Sequence, residues 1–480
     1  MKQLLLFLFL LILAVGCKEK SIDEPIDKSP SIESFSPVSG ASDSVVTIIG
    51  KNFSASAVYN LISVGSYTAV PISASSTQLV FKIPYGVPVG SYSISVKVSG
   101  VTAAASQKFA VTSYESVDSK VENYNYVIGT QTIGPTYKFT SDDKLVETAK
   151  AIYGMGSNMI KISLSTGSYG LSGSYADLTS LVRDNSSFRT VLDMPFRNYF
   201  FWAAGHANWS DGYSESERYS DSIQIYNLTR YLITQYNNTG KTFYLGHWEG
   251  DWYLLPNYDT SYVPSDVRLQ GMIAWYRTRQ NAVDRAKNMT AHSNVEVFHY
   301  AELNQVVDAK NKGLKRIVNY VLPYTNVDYV SYSSYDAQQL SQSEYSSVLD
   351  YIQSNIPAKA GLTGKRVFIG EMGFSLQKSG GSTTQHELDN RNFLMKPLIW
   401  GCPFVLYWEM YNNEIDATTG AQKGYWLIDD KNVKQPLYYT YFNFLKMARQ
   451  WVTNYKAVNG VLPPQNLYLN WASETLKTKP

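Results

Sequence analysis

Thr242-Phe243-Tyr244-Leu245-Gly246-His247-Trp248-Glu249-Gly250-Asp251-Trp252 and Arg366-Val367-Phe368-Ile369-Gly370-Glu371-Met372-Gly373-Phe374 are built alike. Each is an apolar run that delivers one glutamate, Glu249 or Glu371, among glycine and aromatic neighbours. Such a run predicts a buried parallel strand, and a carboxylate at its end is where a (β/α)8 barrel places catalytic groups. Two of them at one barrel mouth predict the paired carboxylates of a sugar-cleaving cleft.

Outward from these runs, beyond about residue 120, apolar strand candidates alternate with helical patterns, the sequence form of a parallel α/β fold. Strands are expected near 126–131, 159–164, 190–194, 242–247, 295–300, 329–332, 367–370 and 405–408. Helices are expected near 142–153, 267–288, 314–321 and 388–399, with 438–451 closing the chain. The units fit a (β/α)8 TIM barrel over 120–480 with inserted loops. A doubly wound open sheet competes, but no Gly-rich dinucleotide loop or Walker sequence follows the first strand.

The strand ends offer, in order, Asp193 and Arg197, then His247, Glu249, Asp251 and Trp252, then His299, Glu302 and Asn304. Tyr335 and Asp336, Glu371, and finally Trp408 and Glu409 complete the series. Glu249 follows the fourth expected strand and Glu371 ends the seventh, a placement that resembles the clan-A glycoside hydrolases over about three quarters of the chain. The resemblance implies a retaining enzyme with Glu249 as acid/base and Glu371 as nucleophile. It also implies that Trp408 floors the cleft and that Tyr335 orients the nucleophile. Many members of that clan carry Asn before the acid/base, whereas Trp248 stands here, in a segment closer in flavour to some β-mannanases. The contact to the sugar 2-hydroxyl then falls to Asn304 or His247.

The residues argue for the same division of labour. Packing among Trp248, Trp252 and Tyr253 would desolvate Glu249 and raise its pKa, which suits an acid. Glu371, between glycines that let ligand approach and near a phenol that would hold it ionised, suits a nucleophile. Glu302 and Glu409 are rival carboxylates with orienting neighbours as their plainer role. Glu409 is also a substrate-binding candidate, with His247, Trp252, Asn304, Tyr335, Trp408 and Arg197. Asp251 reads as a loop cap or a sugar hydroxyl partner, and Arg197 as a sugar ligand or a loop anchor. Trp202, Trp209, Trp252 and Tyr253 are either barrel-rim core or platforms for sugar rings.

Other chemistries find no motif. The 5 His show no zinc-ligand spacing, and His386-Glu387 is followed by Asn390 where a ligand would be needed. No Gly-x-Ser-x-Gly elbow is present, and Cys402 reads as an inert core thiol. No metal and no cofactor are expected.

The first residues set the compartment. Met1-Lys2 followed by a short apolar run ending in Ala14-Val15-Gly16-Cys17 reads as a signal peptide over 1–17, and it resembles a bacterial lipobox with Cys17 as the lipidated residue. An acidic, proline-bearing tether over 18–29 follows. With 2 Cys, one of them Cys17, no internal disulfide is expected and stability must come from buried core. A net charge of +2 with only 17% charged residues implies neither nucleic acid nor an anionic membrane surface as partner. The 14% aromatic share suits stacking against sugars.

Residues 30–113 are Ser/Val/Gly-rich with short alternating runs, which predicts a small all-β sandwich. Ile32-Glu33-Ser34-Phe35-Ser36-Pro37-Val38-Ser39-Gly40, Gly50-Lys51-Asn52-Phe53 and Ile83-Pro84-Tyr85-Gly86 resemble the IPT/TIG immunoglobulin-like domain, which implies a spacer. The whole is expected to be a two-domain glycosidase lipid-anchored to the bacterial envelope, at the surface of the outer membrane. It would cleave a β-linked poly- or oligosaccharide by retention, beside other surface glycan-uptake proteins. The alternative is a catalytically inactive surface glycan-binding lipoprotein.

Overall fold

The computed structural model describes residues 29–41, 44–69, 71–84, 87, 89–112, 119–203 and 208–480. The leader with Cys17, all but the last residue of the 18–29 tether, Tyr85-Gly86 and most of the 113–120 junction lie outside the described residues.

The N-terminal region is a sandwich of two sheets. One contains Ser31–Ser36, Val45–Lys51, Gln78–Lys82 and Ser73–Ala74, in that spatial order. The other runs Ser39–Gly40, Val101–Val111, Gly90–Val98, Asn60–Val64, Tyr67–Ala69. Alternation decides the faces: Val46 and Ile48 are buried while Val45 and Ile49 are exposed. Phe35, Val46, Ile48, Leu79 and Phe81 from one sheet meet Ile62, Val64, Ile94, Val96 and Phe109 from the other in one core.

The rest is a closed barrel of eight parallel strands with helices between them. In order the strands are Ile128–Thr132, Met159–Ser163, Asn198–Trp202, Thr242–Gly246, Glu296–Leu303, Tyr329–Ser333, Val367–Met372 and Val405–Tyr407. Pairing of Ile128 with Val405 and of Thr130 with Tyr407 closes it. The expected (β/α)8 architecture is therefore present.

Period two along each strand sorts the side chains. Outward residues such as Ile160, Ile162, Phe201, Leu245, Val330 and Ile369 share the core with the surrounding helices. Inward residues Met159, Phe200, Tyr244, Tyr300, Phe368, Phe404 and Leu406 form a separate apolar plug inside the barrel. Within that plug Phe200 and Tyr244 stack at 4.5 Å. Two residues further along the strands, on the same inward face, stand Lys161, Trp202, Gly246 and Glu302. The barrel interior thus changes from apolar to polar in one step, toward the C-terminal end.

One expected strand is corrected. Residues 190–194 are the end of the helix Ser186–Asp193, and the third strand is Asn198–Trp202. Asn185 caps that helix by accepting from the Ser187 and Phe188 amides, and Ser187, Phe188, Val191 and Leu192 are buried at helical spacing. The fourth strand stops at Gly246, one residue before His247, and the fifth runs on to Leu303. The helix near 314–321 is only Ile317–Tyr320, and a further helix, Gln465–Lys477, follows Pro436–Asn459.

Gly370 shows how tightly the polar step is packed. A Cβ there would lie 1.8 Å from Ser331 Oγ and 3.1 Å from Glu302 Oε2. Gly370→Ala is expected to cost about 1–3 kcal/mol through overpacking. Urea melts of the variant check this, and an unchanged midpoint would contradict the packing described.

Candidate active site

Each carboxylate is placed by a local departure from regular structure. In the seventh strand the register shifts between Ile369 and Met372 against the eighth strand, and on the other side Ser333 pairs with Glu371 where an unshifted register would give Gly370. This irregularity lets Glu371 join Gly370 on the inward side, as a bulge re-aims a side chain. Glu249 lies three residues past the fourth strand, immediately before the short helix Gly250–Leu254. Its amide donates to Glu302 Oε1 at 3.0 Å, so the loop that carries it is tied to the fifth strand.

Lys161, on the second strand, sits at the centre of the polar step and is fully buried. Its ammonium donates to Glu302 Oε2 at 2.9 Å, Glu371 Oε1 at 3.1 Å and the Gly370 carbonyl at 3.2 Å. Burial alone would lower the Lys161 pKa, but the charges of Glu302 and Glu371 more than offset it and the net shift is upward. Glu302 also accepts from Ser331 Oγ at 2.8 Å and Ser333 Oγ at 3.3 Å, which satisfies both its oxygens and gives it an orienting role. Tyr335 OH donates to Glu371 Oε2 at 3.4 Å.

The two candidate carboxyl groups differ in surroundings. Burial raises Glu249 well above the usual carboxylate range, and the charges of Glu371 and Glu302 add to it, while a hydrogen bond from the Trp252 side chain opposes them. Burial also pushes Glu371 up, but the Lys161 ammonium and its hydrogen bond pull it back. The ammonium touches Glu371 and not Glu249, so a single proton shared between them rests on Glu249.

Both face one cavity of about 530 Å³, walled by Trp202, Trp248, Tyr335, Trp408 and Tyr425 with Lys378, Asn413 and Glu414 at its polar side. The Trp202 and Trp408 rings lie 5.9 Å apart, and Trp408 is joined to Glu409 by a cis peptide bond. A larger cavity, of about 810 Å³, lies between the loops after the second and third strands. Its lining carboxylate, Asp177, is engaged in capping the helix Leu178–Asp184, whereas the smaller cavity holds the paired carboxylates.

The other sequence candidates are placed elsewhere. Arg197 precedes the third strand and lies at the opposite end of the barrel, a correction that follows from the misplaced strand. There its amide donates to the Asn158 carbonyl at 2.7 Å. Asp193, at the same end, accepts from Tyr236 OH at 3.0 Å.

His247 is fully buried behind the cavity. Its Nδ1–H donates to the Trp248 carbonyl at 2.7 Å, and Nε2 accepts from Tyr276 OH at 2.7 Å and the Glu302 amide at 3.4 Å. Burial lowers its pKa to about 3, so it stays neutral. Asn304 Oδ1 accepts from the Asp251 amide at 3.1 Å, and Asp251 in turn accepts from the Asn304, Gln305 and Ile317 amides. These residues fasten the loops after the fourth and fifth strands and do not line the cavity. Glu409 is buried under the floor, where Oε2 accepts from the Ile133 amide at 2.8 Å. Trp252 is half-buried against Tyr258 and reaches the site through Glu249.

Sequence reasoning missed Lys161, although Met159-Ile160-Lys161-Ile162 carried a signal: a charge inside a buried strand demands a counter-charge. It also missed Lys378, Asn413, Glu414 and Tyr425, which come from long loops after the seventh and eighth strands.

Residues 30–113 match the IPT/TIG domain family. A search of curated proteins finds no match. Similar solved structures include a family 39 glycoside hydrolase from the gut symbiont Bacteroides cellulosilyticus, at 12% identity over 85% of this chain and 80% of that one, with a TM-score of 0.44. A Bacteroides uniformis beta-glucuronidase is similar at 10% identity over 86% of this chain and 50% of that one, with a TM-score of 0.40. An auxiliary nutrient binding protein from Bacteroides thetaiotaomicron is similar over 18% of this chain and 21% of that one, at 22% identity and a TM-score of 0.17.

Removing one member of a buried ion pair strands the other. Lys161→Met is therefore expected to cost about 3–5 kcal/mol, and the double variant with Glu302→Gln to recover part of it. Guanidinium melts of both variants check this, and additive losses would show that the two groups do not depend on each other.

Proposed function

We propose that this protein is a glycosidase that cleaves a β-linked poly- or oligosaccharide with retention. The observation that carries the reading is that Glu249 and Glu371 face one aromatic cavity with opposite electrostatic support. Glu371 is held by an ammonium and a phenol, whereas Glu249 has no cation on it. Retaining hydrolysis needs that asymmetry: one carboxyl group protonated near neutrality and the other ionised.

In this reading a sugar ring packs against Trp408, with Trp202 and Trp248 walling the cleft. The Glu371 carboxylate attacks the anomeric carbon while Glu249 gives its proton to the departing glycosidic oxygen. The glycosyl–Glu371 ester then forms as the bond to the leaving sugar breaks. Once ionised, Glu249 takes a proton from water, which attacks the anomeric carbon and releases Glu371. Lys161 and Tyr335 lower the free energy of the Glu371 carboxylate both before attack and as it leaves. The Ala14-Val15-Gly16-Cys17 sequence supports the further reading that Cys17 is lipidated and anchors the enzyme to the bacterial envelope, at the outer-membrane surface and beside other glycan-uptake proteins.

Glu371→Gln keeps the shape of the side chain and removes its charge, so hydrolysis is expected to fall at least about a thousandfold with binding retained. Glu249→Ala is expected to slow substrates with poor leaving groups far more than activated aryl glycosides, which need little protonation. Kinetics on matched substrates check both, and wild-type turnover by Glu371→Gln would end the assignment. For the anchor, Cys17→Ala is expected to move the protein from the membrane to the soluble fraction on cell fractionation. Unchanged membrane association would remove the lipid.

A further inference from the structure

The two sides of the cavity are chemically unlike. Trp202, Trp248, Trp408 and Tyr425 give the cavity aromatic walls, whereas Lys378, Asn413 and Glu414 add polar groups from the loops after the seventh and eighth strands. Those two loops brace each other. The Leu376 amide donates to the Gly424 carbonyl at 3.0 Å, the Gln377 amide to the Lys423 carbonyl at 3.1 Å, and Gln377 Nε2 to Asp416 Oδ2 at 3.1 Å.

The turn that bears Lys378 is pinned as well. Ser375 Oγ accepts from the Lys378 amide at 3.1 Å, and Ser379 Oγ donates to Asp389 Oδ2 at 2.7 Å. Lys378 therefore stands on fixed backbone at the cavity edge.

The carboxylates facing the cavity each have a partner or a proton of their own. Glu371 shares Lys161 with Glu302, and Glu414 has Lys423 at 3.0 Å. Glu249 is the group that holds the proton. Lys378, exposed at the rim and among the lining residues, has neither a hydrogen-bond nor an ion-pair partner for its ammonium among the described residues. Beside it, Asn413 Oδ1 is buried and unpartnered, while the Asn413 amide is fixed by donating to the Ile133 carbonyl at 2.7 Å. An anionic group entering here would meet a cation that has no protein competitor, and a neighbouring hydroxyl would meet an open acceptor.

We propose that the substrate is an acidic glycan, with a carboxylate or sulfate on the sugar seated in this cavity paired to Lys378. The inference rests on the glycosidase reading of the same site and names its substrate class. Lys378 is exposed at the cavity rim, so a neutral sugar leaves its ammonium to water, whereas an anionic one gains a charge-assisted contact with it.

The test is calorimetric binding to the full chain carrying Glu371→Gln, which separates recognition from cleavage. The probes are β-1,4-linked gluco- and manno-hexasaccharides in three forms: neutral, oxidised to the uronate at C6, and sulfated at O6. On at least one backbone an anionic form is expected to bind about tenfold more tightly than the neutral one, with affinity falling as salt rises. Which anionic form wins distinguishes carboxylate from sulfate. Adding Lys378→Gln is expected to erase the preference, and Lys378→Arg to keep it.

Equal or tighter binding of the neutral forms, or a preference that survives Lys378→Gln, overturns the inference. Cleavage of a neutral form by the unmodified protein would in that case leave the glycosidase reading intact. Acid-selective binding without cleavage of any form by the unmodified protein would do the reverse, removing the glycosidase and keeping the acidic ligand.

Discussion

The polar end of the barrel depends on one ammonium. Lys161 is fully buried on a strand whose neighbours, Ile160 and Ile162, are outward core residues, and it stands two positions beyond Met159 in the apolar plug. A charge there is tolerable only because Glu302 and Glu371 reach it from the fifth and seventh strands at 2.9 and 3.1 Å. The dependence runs both ways. Without Lys161, two carboxylates would share a buried space with Glu249 nearby, and the charge could be relieved only by protonation.

That contact ties distant parts of the chain to one another. Glu302 holds Lys161 through Oε2 and the Glu249 amide through Oε1, so the fourth-strand loop is referenced to the second and seventh strands through a single side chain. His247 and Asp251 add the next layer, since the Glu302 amide donates to His247 Nε2 and Asp251 gathers the amides of Asn304, Gln305 and Ile317. Carboxylates that must meet a ligand at defined separation are better held by strands and buried bonds than by free loops.

Much of this was legible in the sequence because strand ends in a parallel barrel carry positional meaning. The alternation of apolar runs with helical patterns located most strands, and the runs ending near Glu249, Glu371 and Trp408 identified three parts of the cavity wall. Tyr335 followed from the same rule. The rule failed where the element was wrong: residues 190–194 looked like a strand, but an Asn cap and helical spacing made them a helix, and Arg197 went to the far end of the barrel.

It failed differently for His247, Asn304 and Glu409. They are polar residues near the right strand ends, but buried backbone groups claim them, and a linear sequence does not reveal which partner a polar side chain will satisfy. Lys378 and Glu414 were illegible for a third reason. They lie on loops whose course is set by contacts with each other, such as Leu376 with Gly424 and Gln377 with Asp416.

The site therefore divides into layers of different origin. The deepest layer, Lys161, Glu302 and Glu371, comes from inward strand positions and one register shift, and its charges hold one another. The middle layer, Glu249 with Trp248 and Trp408, depends on loops that leave the strand ends and are tied back by amides. The outer layer, Lys378, Asn413 and Glu414, rests on two long loops braced against each other. Chemistry common to many sugars needs only the deep and middle layers, because every glycosidic bond presents the same anomeric carbon and oxygen. In the proposed reading, discrimination between sugars acts on the substituents and falls to the outer wall, where loops can vary without disturbing the buried charges.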